Sequence, residues 1–192
     1  MEETLRKLSG GDPKPKPDPS QIEFDSKICP DINKLREISS LMEMTVNVTT
    51  KRLYRASVDG FTPSEMHKRI DNQNNLLILV LTVDSQIIGG FASADFGSAQ
   101  PTFKSDKYAR IFNLNLKKLY VVRNVNEAIY CDQQYFTIFG KGDLGIGLDG
   151  TIRSGFPMSY GSGLEKTNEI LNGYEFIKIS EFEVFKLIAL TN

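Results

Sequence analysis

Residues 76–93 read LLILVLTVDSQIIGGFAS, and this stretch decides the fold. Its first part, Leu76 to Thr82, is a continuous apolar run, which is typical of a strand buried on both faces. Val83 to Gln86 predict a turn, and Ile87 to Ser93 return as the partner strand of a hairpin. The stretch therefore predicts an antiparallel pair of strands, the first of which is buried on both faces.

Further strands follow the hairpin at short intervals. The last one, from about Tyr174 to Leu187, changes the phase of its apolar alternation, and a β-bulge near Ser180 and Glu181 would reconcile the two halves. Many hairpin-linked strands with few helices predict an α+β fold, an antiparallel two-sheet β-sandwich with peripheral helices. The remaining strand candidates are Arg110–Leu116, Lys118–Arg123, Ala128–Cys131, Tyr135–Phe139 and Leu144–Leu148.

Three helices are expected outside the sheets. Residues 31–44 are amphipathic, with Asp31 as the N-cap. Thr62 to Ile70 carry an N-cap threonine, a proline at the first helical position and a capping-box Glu65. A short helix is predicted from Leu164 to Leu171, with Gly173 near its C-terminal cap.

The patterning divides the chain into three parts. Residues 1–20 are a proline-rich tail, in which Glu2 to Leu8 could form one or two helical turns before GGDPKPKPDPS. Prolines at every second position favour extended geometry and bury no core, so this part is interpreted as a flexible tail. Residues 21–50 are predicted to be a helical segment that packs on the domain, and residues 51–192 to be the domain itself.

Composition excludes several classes of function. The 192 residues carry a formal net charge of -1, which indicates neither nucleic-acid binding nor attraction to an anionic membrane. The N-terminus lacks the apolar core of a signal peptide, and the longest apolar run is too short to insert into a membrane. We therefore expect a cytoplasmic protein that meets membranes or assemblies through protein partners.

The glycine-rich and titratable motifs favour architecture over catalysis. Gly140 to Gly145 match G-x-G-x-x-G, but no helix follows, as a dinucleotide site requires. A Cys131–His67 nucleophilic dyad is conceivable but has no local support. One histidine and two separated cysteines give no zinc spacing, and residues 71–82 lack the glycine and glutamate of a calcium loop. The sequence predicts no catalytic, metal or cofactor site.

Glu181 and Glu183 lie two residues apart on the last strand. Both carboxylates would project from one face if no bulge separates them, and a pair of carboxylates could perform acid–base chemistry. A solvated strand face is the simpler interpretation, and we expect it here.

Taken in order, these segments resemble the TLDc domain family. Residues 53–61, LYRASVDGF, are similar to the opening LYRASxDGF of that family, and Ile88 to Phe91 resemble its FGGY strand. Phe139 to Leu144 and Phe182 to Phe185 resemble its later segments, so the resemblance covers about Leu53 to Leu187. The positions that match its motifs are Asp59, Gly60, Phe61, Gly89, Gly90, Gly140, Gly142, Asp143 and Glu183.

The resemblance implies a function that composition does not. Family members have the sandwich fold, are linked to oxidative-stress resistance, and bind and regulate the vacuolar proton-pumping ATPase, with no established catalytic mechanism. We therefore expect a non-enzymatic protein-interaction module that binds subunits of this pump. Two alternatives stay open, namely a structural subunit of another large assembly docked through its N-terminal arm, and a redox or hydrolytic enzyme.

Overall fold

The computed structural model describes residues 24–42 and 48–189. The predicted proline-rich tail lies outside the described residues. Three helices and eleven strands occur in the order α1 (Ile32–Leu41), β1 (Val48–Arg55), α2 (Ala56–Asp59), α3 (Pro63–Ile70), β2 (Leu76–Thr82), β3 (Ile87–Ala92), β4 (Thr102–Lys104), β5 (Arg110–Asn113), β6 (Lys118–Val121), β7 (Ile129–Cys131), β8 (Ile138–Phe139), β9 (Leu144–Ile146), β10 (Thr151–Arg153) and β11 (Phe176–Ala189).

The strands form two antiparallel sheets that share β11. Sheet A has the order β1-β11-β2-β3-β5-β6, and sheet B has the order β4-β7-β8-β9-β10-β11. The first part of β11 pairs with β10, and the rest pairs with β2 and β1. The register of β11 against β2 shifts between Ile179 and Glu181, which is the predicted bulge. This bulge lies where the strand passes from one sheet to the other.

The main hydrophobic core lies between the sheets. Sheet A contributes Ile78, Val80 and Phe182, while Phe139 and Ile152 come from sheet B. All five side chains are buried. The predicted α+β sandwich with peripheral helices is confirmed.

A second core covers the outer face of sheet A. Residues 24–42, which we call the N-terminal segment, place Ile28, Leu35 and Ile38 against Leu79 and Phe185 of that face. Sheet A is therefore buried on both sides near β2. This burial is the physical reason for the uninterrupted apolar run from Leu76, as the sequence predicts.

Two of the three predicted helices are confirmed with their caps. Asp31 accepts a hydrogen bond from the Asn33 backbone N–H at the start of α1, and Thr62 accepts one from Glu65 at the start of α3. The predicted helix from Leu164 to Leu171 is wrong, since only Glu169–Leu171 form a single 3-10 turn. Asn168 has a left-handed backbone with φ 53°, which interrupts any helix that approaches from the N-terminal side.

The strand predictions were correct in position and often too long. The candidate from Tyr135 shortens to β8, because the turn that begins at Asp132 continues through Tyr135. Three strands, β1, β4 and β10, were not predicted. The last two have only three residues each, too few for an alternation to be seen.

Gly89 and Gly90 allow close approach on the two faces of β3. A Cβ added to Gly89 would collide with the Ile78 carbonyl oxygen, and one added to Gly90 would lie 2.5 Å from Cζ of Phe139. The Phe139 ring comes from sheet B, so Gly90 sets how closely the sheets pack. The structure thus agrees with the packing interpretation of this pair.

We expect Gly90→Ala to lower the free energy of unfolding by about 1–3 kcal/mol, because the added methyl group must displace a buried ring or a strand backbone. Gly145→Ala is the matched control, since an added Cβ in β9 meets only ordinary contacts with Ile138 at 3.5 Å and beyond. Urea unfolding measures both variants. Equal midpoints for the two would contradict this account of sheet spacing.

Candidate functional site

Glu181 and Glu183 are buried, so the expected solvated strand face is wrong. Their side chains leave the same face of β11, beyond the bulge, and point toward the N-terminal segment. That segment covers this face of sheet A, which the sequence does not reveal. The physical reason for the burial is that both carboxylates meet hydrogen-bond donors in place of water.

Glu183 joins three separate segments of the chain. Its carboxylate accepts hydrogen bonds from Ser26 Oγ at 2.6 Å and from the Lys27 backbone N–H at 3.0 Å. Arg55 Nε, at the end of β1, donates to it at 2.5 Å, and the Arg55 guanidinium also contacts Asp25. One carboxylate therefore fixes the N-terminal segment and β1 to β11.

The Glu181 carboxylate accepts hydrogen bonds from Lys27 and Ser57. Lys27 Nζ lies 3.0 Å from one of its oxygens, and the Ser57 backbone N–H donates to the other at 3.1 Å. Burial favours the neutral acid, yet the hydrogen bonds from Ser57 and Lys27 outweigh it, so the pKa of Glu181 is lowered. The carboxylate is thus held ionised.

The two carboxylates are occupied by structural partners. An acid–base pair needs a free oxygen facing a substrate, whereas each oxygen here already accepts a hydrogen bond from the protein. The nearby Cys29 thiol is also buried, and burial together with the Glu183 charge raises its pKa to about 12. A thiol that stays protonated is a poor nucleophile.

The loop of Gly140 to Gly145 is organised around the Asp143 carboxylate. Asp143 accepts hydrogen bonds from the backbone N–H groups of Met158 at 2.6 Å, Ser159 at 2.8 Å and Tyr160 at 3.2 Å. An added Cβ on Gly140, which has a φ of +62°, would collide with that carboxylate. The loop thus binds its own aspartate where a nucleotide loop would bind phosphate.

The residues of the LYRASVDGF motif form a tight turn beside the Glu183 carboxylate. Asp59 accepts a hydrogen bond from the Arg55 backbone N–H at 2.8 Å and pairs with Arg69. Gly60 has a φ of +95°, and its carbonyl oxygen accepts a hydrogen bond from the Tyr54 hydroxyl. Phe61 packs on Phe136 of the main core. The motif therefore positions Arg55 for its contact with Glu183.

His67 and Cys131 do not form a dyad. The His67 ring is bonded to Asp71 at 2.6 Å and to the Tyr135 carbonyl oxygen at 2.9 Å. The Cys131 thiol contacts the Asp95 carbonyl oxygen, and burial raises its pKa to about 11. Within residues 24–42 and 48–189, no group of three or more His, Cys, Asp or Glu side chains is placed to hold a metal ion.

The outer face of sheet B is the exposed counterpart of the covered face of sheet A. Strand register aligns one residue from each strand of sheet B in a row that we call the open face. Its end residues Phe103 and Phe176 are 39% and 53% exposed. The ring centroids of Phe103 and Tyr130 lie 5.1 Å apart, and Arg153 lies over the Phe176 ring. The row is Phe103, Tyr130, Ile138, Gly145, Arg153 and Phe176.

A groove of about 850 Å³ lies against the open face. Apolar side chains of Tyr135, Ile138, Leu148 and Met158 line it, and Glu175 lies at its margin. Gly145 and its neighbouring loops provide a floor without bulky side chains. Sequence reasoning missed this site because it depends on loops distant in sequence that meet only in the folded chain.

We expect Glu183→Gln to lower the free energy of unfolding by about 3–5 kcal/mol. The substitution removes the negative charge to which Arg55 and the N-terminal segment donate hydrogen bonds. Glu175→Gln, whose carboxylate pairs with none of the described residues, should change stability by less than about 0.5 kcal/mol. Chemical denaturation measures both. A similar small effect for the two variants would contradict the linking role of Glu183.

The lowered pKa of Glu181 predicts a pH-dependent contribution to stability. A carboxyl group with a lower pKa in the folded state stabilises the fold above the unfolded pKa of about 4.3, and this contribution is lost as the pH falls through the folded pKa. The stability difference between the unsubstituted chain and Glu181→Gln should therefore be largest near pH 7 and shrink toward pH 3. A difference independent of pH would contradict the ionised assignment.

One comparison with known proteins, the match to a family model, agrees with this architecture. Among the described residues, no helix is both long and apolar enough to cross a bilayer. A comparison with curated proteins finds no significant match. The family model of the TLDc domain matches residues 23–188, and so extends upstream of Leu53 to include the N-terminal segment. The sequence motifs, the sandwich and this match over most of the chain show that the protein belongs to the TLDc domain family.

Proposed function

We propose that this chain is a non-enzymatic interaction module whose open face binds a protein partner. The vacuolar proton-pumping ATPase is the partner that we propose, and a contribution to oxidative-stress resistance is the outcome. Membership of the TLDc family supports the general role. The observation that carries the choice of surface is the difference between the outer faces of the two sheets.

The two outer faces differ in whether their apolar side chains are covered or exposed. Leu79 and Phe185 on sheet A are buried beneath the N-terminal segment. Phe103 and Phe176 on sheet B stay exposed, with Arg153 beside the second ring. Exposed apolar patches with a polar rim mark interaction sites, and aromatic and arginine side chains are enriched among residues that dominate binding energy.

The open face supports regulation without catalysis. A module that binds one state of a pump more tightly than another shifts the equilibrium toward the bound state by its difference in affinity. Such a module needs a rigid surface. Here the row is fixed by strand pairing across all the strands of sheet B, and the inner faces of β7 to β11 pack in the main core.

The test is binding of the purified chain to isolated pump subunits and to vacuolar membranes, with Phe103→Asp and Phe176→Asp as variants. Each substitution should weaken binding at least tenfold, since an aromatic residue that anchors an interface contributes about 2 kcal/mol or more. Val58→Asp is the matched control, because Val58 is a comparably exposed apolar residue, at 66%, on α2.

The results of this test bear separately on the proposed surface and on the proposed partner. Binding that survives both open-face substitutions would overturn the choice of surface. Failure of the chain to bind both the isolated pump subunits and the vacuolar membranes would overturn the choice of partner. Recovery of the chain in a different complex after its addition to a cell extract would then favour the structural-subunit alternative.

A further inference from the structure

The groove beside the open face contains a side-chain oxygen that lacks a hydrogen-bond donor. Asn168 lines this groove and is only 6% exposed. Its Oδ1 atom is buried and accepts no hydrogen bond from any residue that the structure describes. A buried acceptor without a donor costs free energy, and the large majority of such atoms in proteins have a partner. A ligand with an N–H group would supply the donor that Asn168 lacks.

The charges that line the groove leave one carboxylate for a ligand. The charged lining residues are Asp149, Arg153 and Glu175. The Arg153 guanidinium pairs with Asp149 at 2.6 Å and lies over the Phe176 ring, so both of these charges are engaged within the protein. The Glu175 carboxylate pairs with none of the described residues. The groove therefore favours a ligand that carries positive charge.

Backbone hydrogen bonds hold Glu175 and Asn168 against the same short stretch of chain. The Ser154 N–H donates to the Glu175 carbonyl oxygen at 2.9 Å, and the Asn168 N–H donates to the Phe156 carbonyl oxygen at 2.8 Å. A carboxylate and an amide oxygen are thus neighbouring acceptors on one part of the groove. A guanidinium group presents several N–H donors in a planar fork, so it can bond to two acceptors at once. An arginine side chain matches this arrangement better than the compact ammonium group of a lysine.

The rest of the groove is apolar and exposed. Leu148, Met158 and Tyr135 line it and are 60%, 49% and 44% exposed. Gly145 in β9 and Gly147 just after that strand add no side chain to the floor, which leaves room above the backbone. Covering this apolar surface with apolar side chains of a ligand removes it from water. Large apolar residues close to the arginine are therefore the second requirement on the ligand.

We propose that the groove binds a short segment of the protein partner in which an arginine lies close to large apolar side chains. The guanidinium donates to the Glu175 carboxylate and to Asn168 Oδ1, and the apolar side chains pack on Leu148 and Met158. A volume of about 850 Å³ is that of a site for a small ligand, so it admits a few side chains of such a segment. The proposal rests on the proposed function, because its occupant is part of the protein that binds the open face.

The experiment titrates the ¹⁵N-labelled full chain with a panel of synthetic hexapeptides. Each peptide has one arginine, one phenylalanine and one leucine among serines, and the spacing between arginine and phenylalanine varies across the panel. The readout is the chemical shift of the backbone amides of Gly142, Gly145 and Gly147, which line the groove. We expect at least one peptide to shift these signals saturably at concentrations up to about 1 mM.

Paired changes in the peptide and in the chain test the charge. Citrulline in place of arginine keeps the shape of the side chain and removes its positive charge, and should weaken binding by about three- to tenfold. Glu175→Gln should weaken the arginine peptide by a similar factor and leave the citrulline peptide nearly unchanged, because this double-mutant cycle isolates the pair.

Two further variants test the amide oxygen and the apolar wall. Asn168→Gly keeps a residue that tolerates the φ of 53° at this position, and should weaken the arginine peptide by removing the acceptor. Leu148→Ser should weaken every peptide that binds by about three- to tenfold. Val58→Ser is the matched control, since Val58 is 66% exposed on α2, and it should leave the affinities unchanged. Amide signals outside the groove report that each variant keeps the fold.

Three results would overturn the proposal. They are the absence of saturable groove shifts with every peptide of the panel, equal affinity for the arginine and citrulline peptides, and an affinity for the arginine peptide that Glu175→Gln leaves unchanged. A folded Asn168→Gly variant that binds the arginine peptide as tightly as the unsubstituted chain would overturn the role of the amide oxygen. No pump subunit is present, so failure here leaves the proposed pump binding untouched, and failure of pump binding leaves the peptide result untouched.

Discussion

The buried carboxylate of Glu183 is the interaction on which the rest of this structure depends. It accepts hydrogen bonds from Ser26, from the backbone of Lys27 and from Arg55, so it joins the N-terminal segment and β1 to the shared strand β11. A charge this deep is tolerated because every donor around it is fixed by the fold. The same contacts that satisfy the charge hold a cover over the outer face of sheet A.

This cover makes the sandwich asymmetric. The N-terminal segment buries the outer face of sheet A with Ile28, Leu35 and Ile38, and nothing equivalent in the described residues covers the outer face of sheet B. A sandwich needs only its inner faces to form a core. The apolar residues on the outer face of sheet B, such as Phe103 and Phe176, are therefore in excess of what folding requires, and binding is the simplest use for them.

The sequence was informative where a pattern is local. The run from Leu76, the caps at Asp31 and Thr62, and the phase change near Ser180 each predict an element from adjacent residues, and each is confirmed. It failed where burial depends on distant residues. Glu183 resembles an exposed strand residue until Ser26, more than 150 positions earlier, is placed beside it. The groove is hidden for the same reason, since Ile138, Leu148 and Met158 become neighbours only through the fold.

The chemistry of the motifs supports interaction over catalysis for one physical reason. A catalytic group must keep a polar atom free for a substrate, often with a pKa tuned toward neutrality. Glu181, Glu183 and Asp143 instead have their oxygens engaged by hydrogen-bond donors of the protein itself, and burial keeps the two thiols protonated. The polar groups of the family motifs thus hold the scaffold, while the exposed apolar row and groove of sheet B offer what a binding partner needs. In the function that we propose, the domain acts through its surface, and the buried motifs determine the shape of that surface.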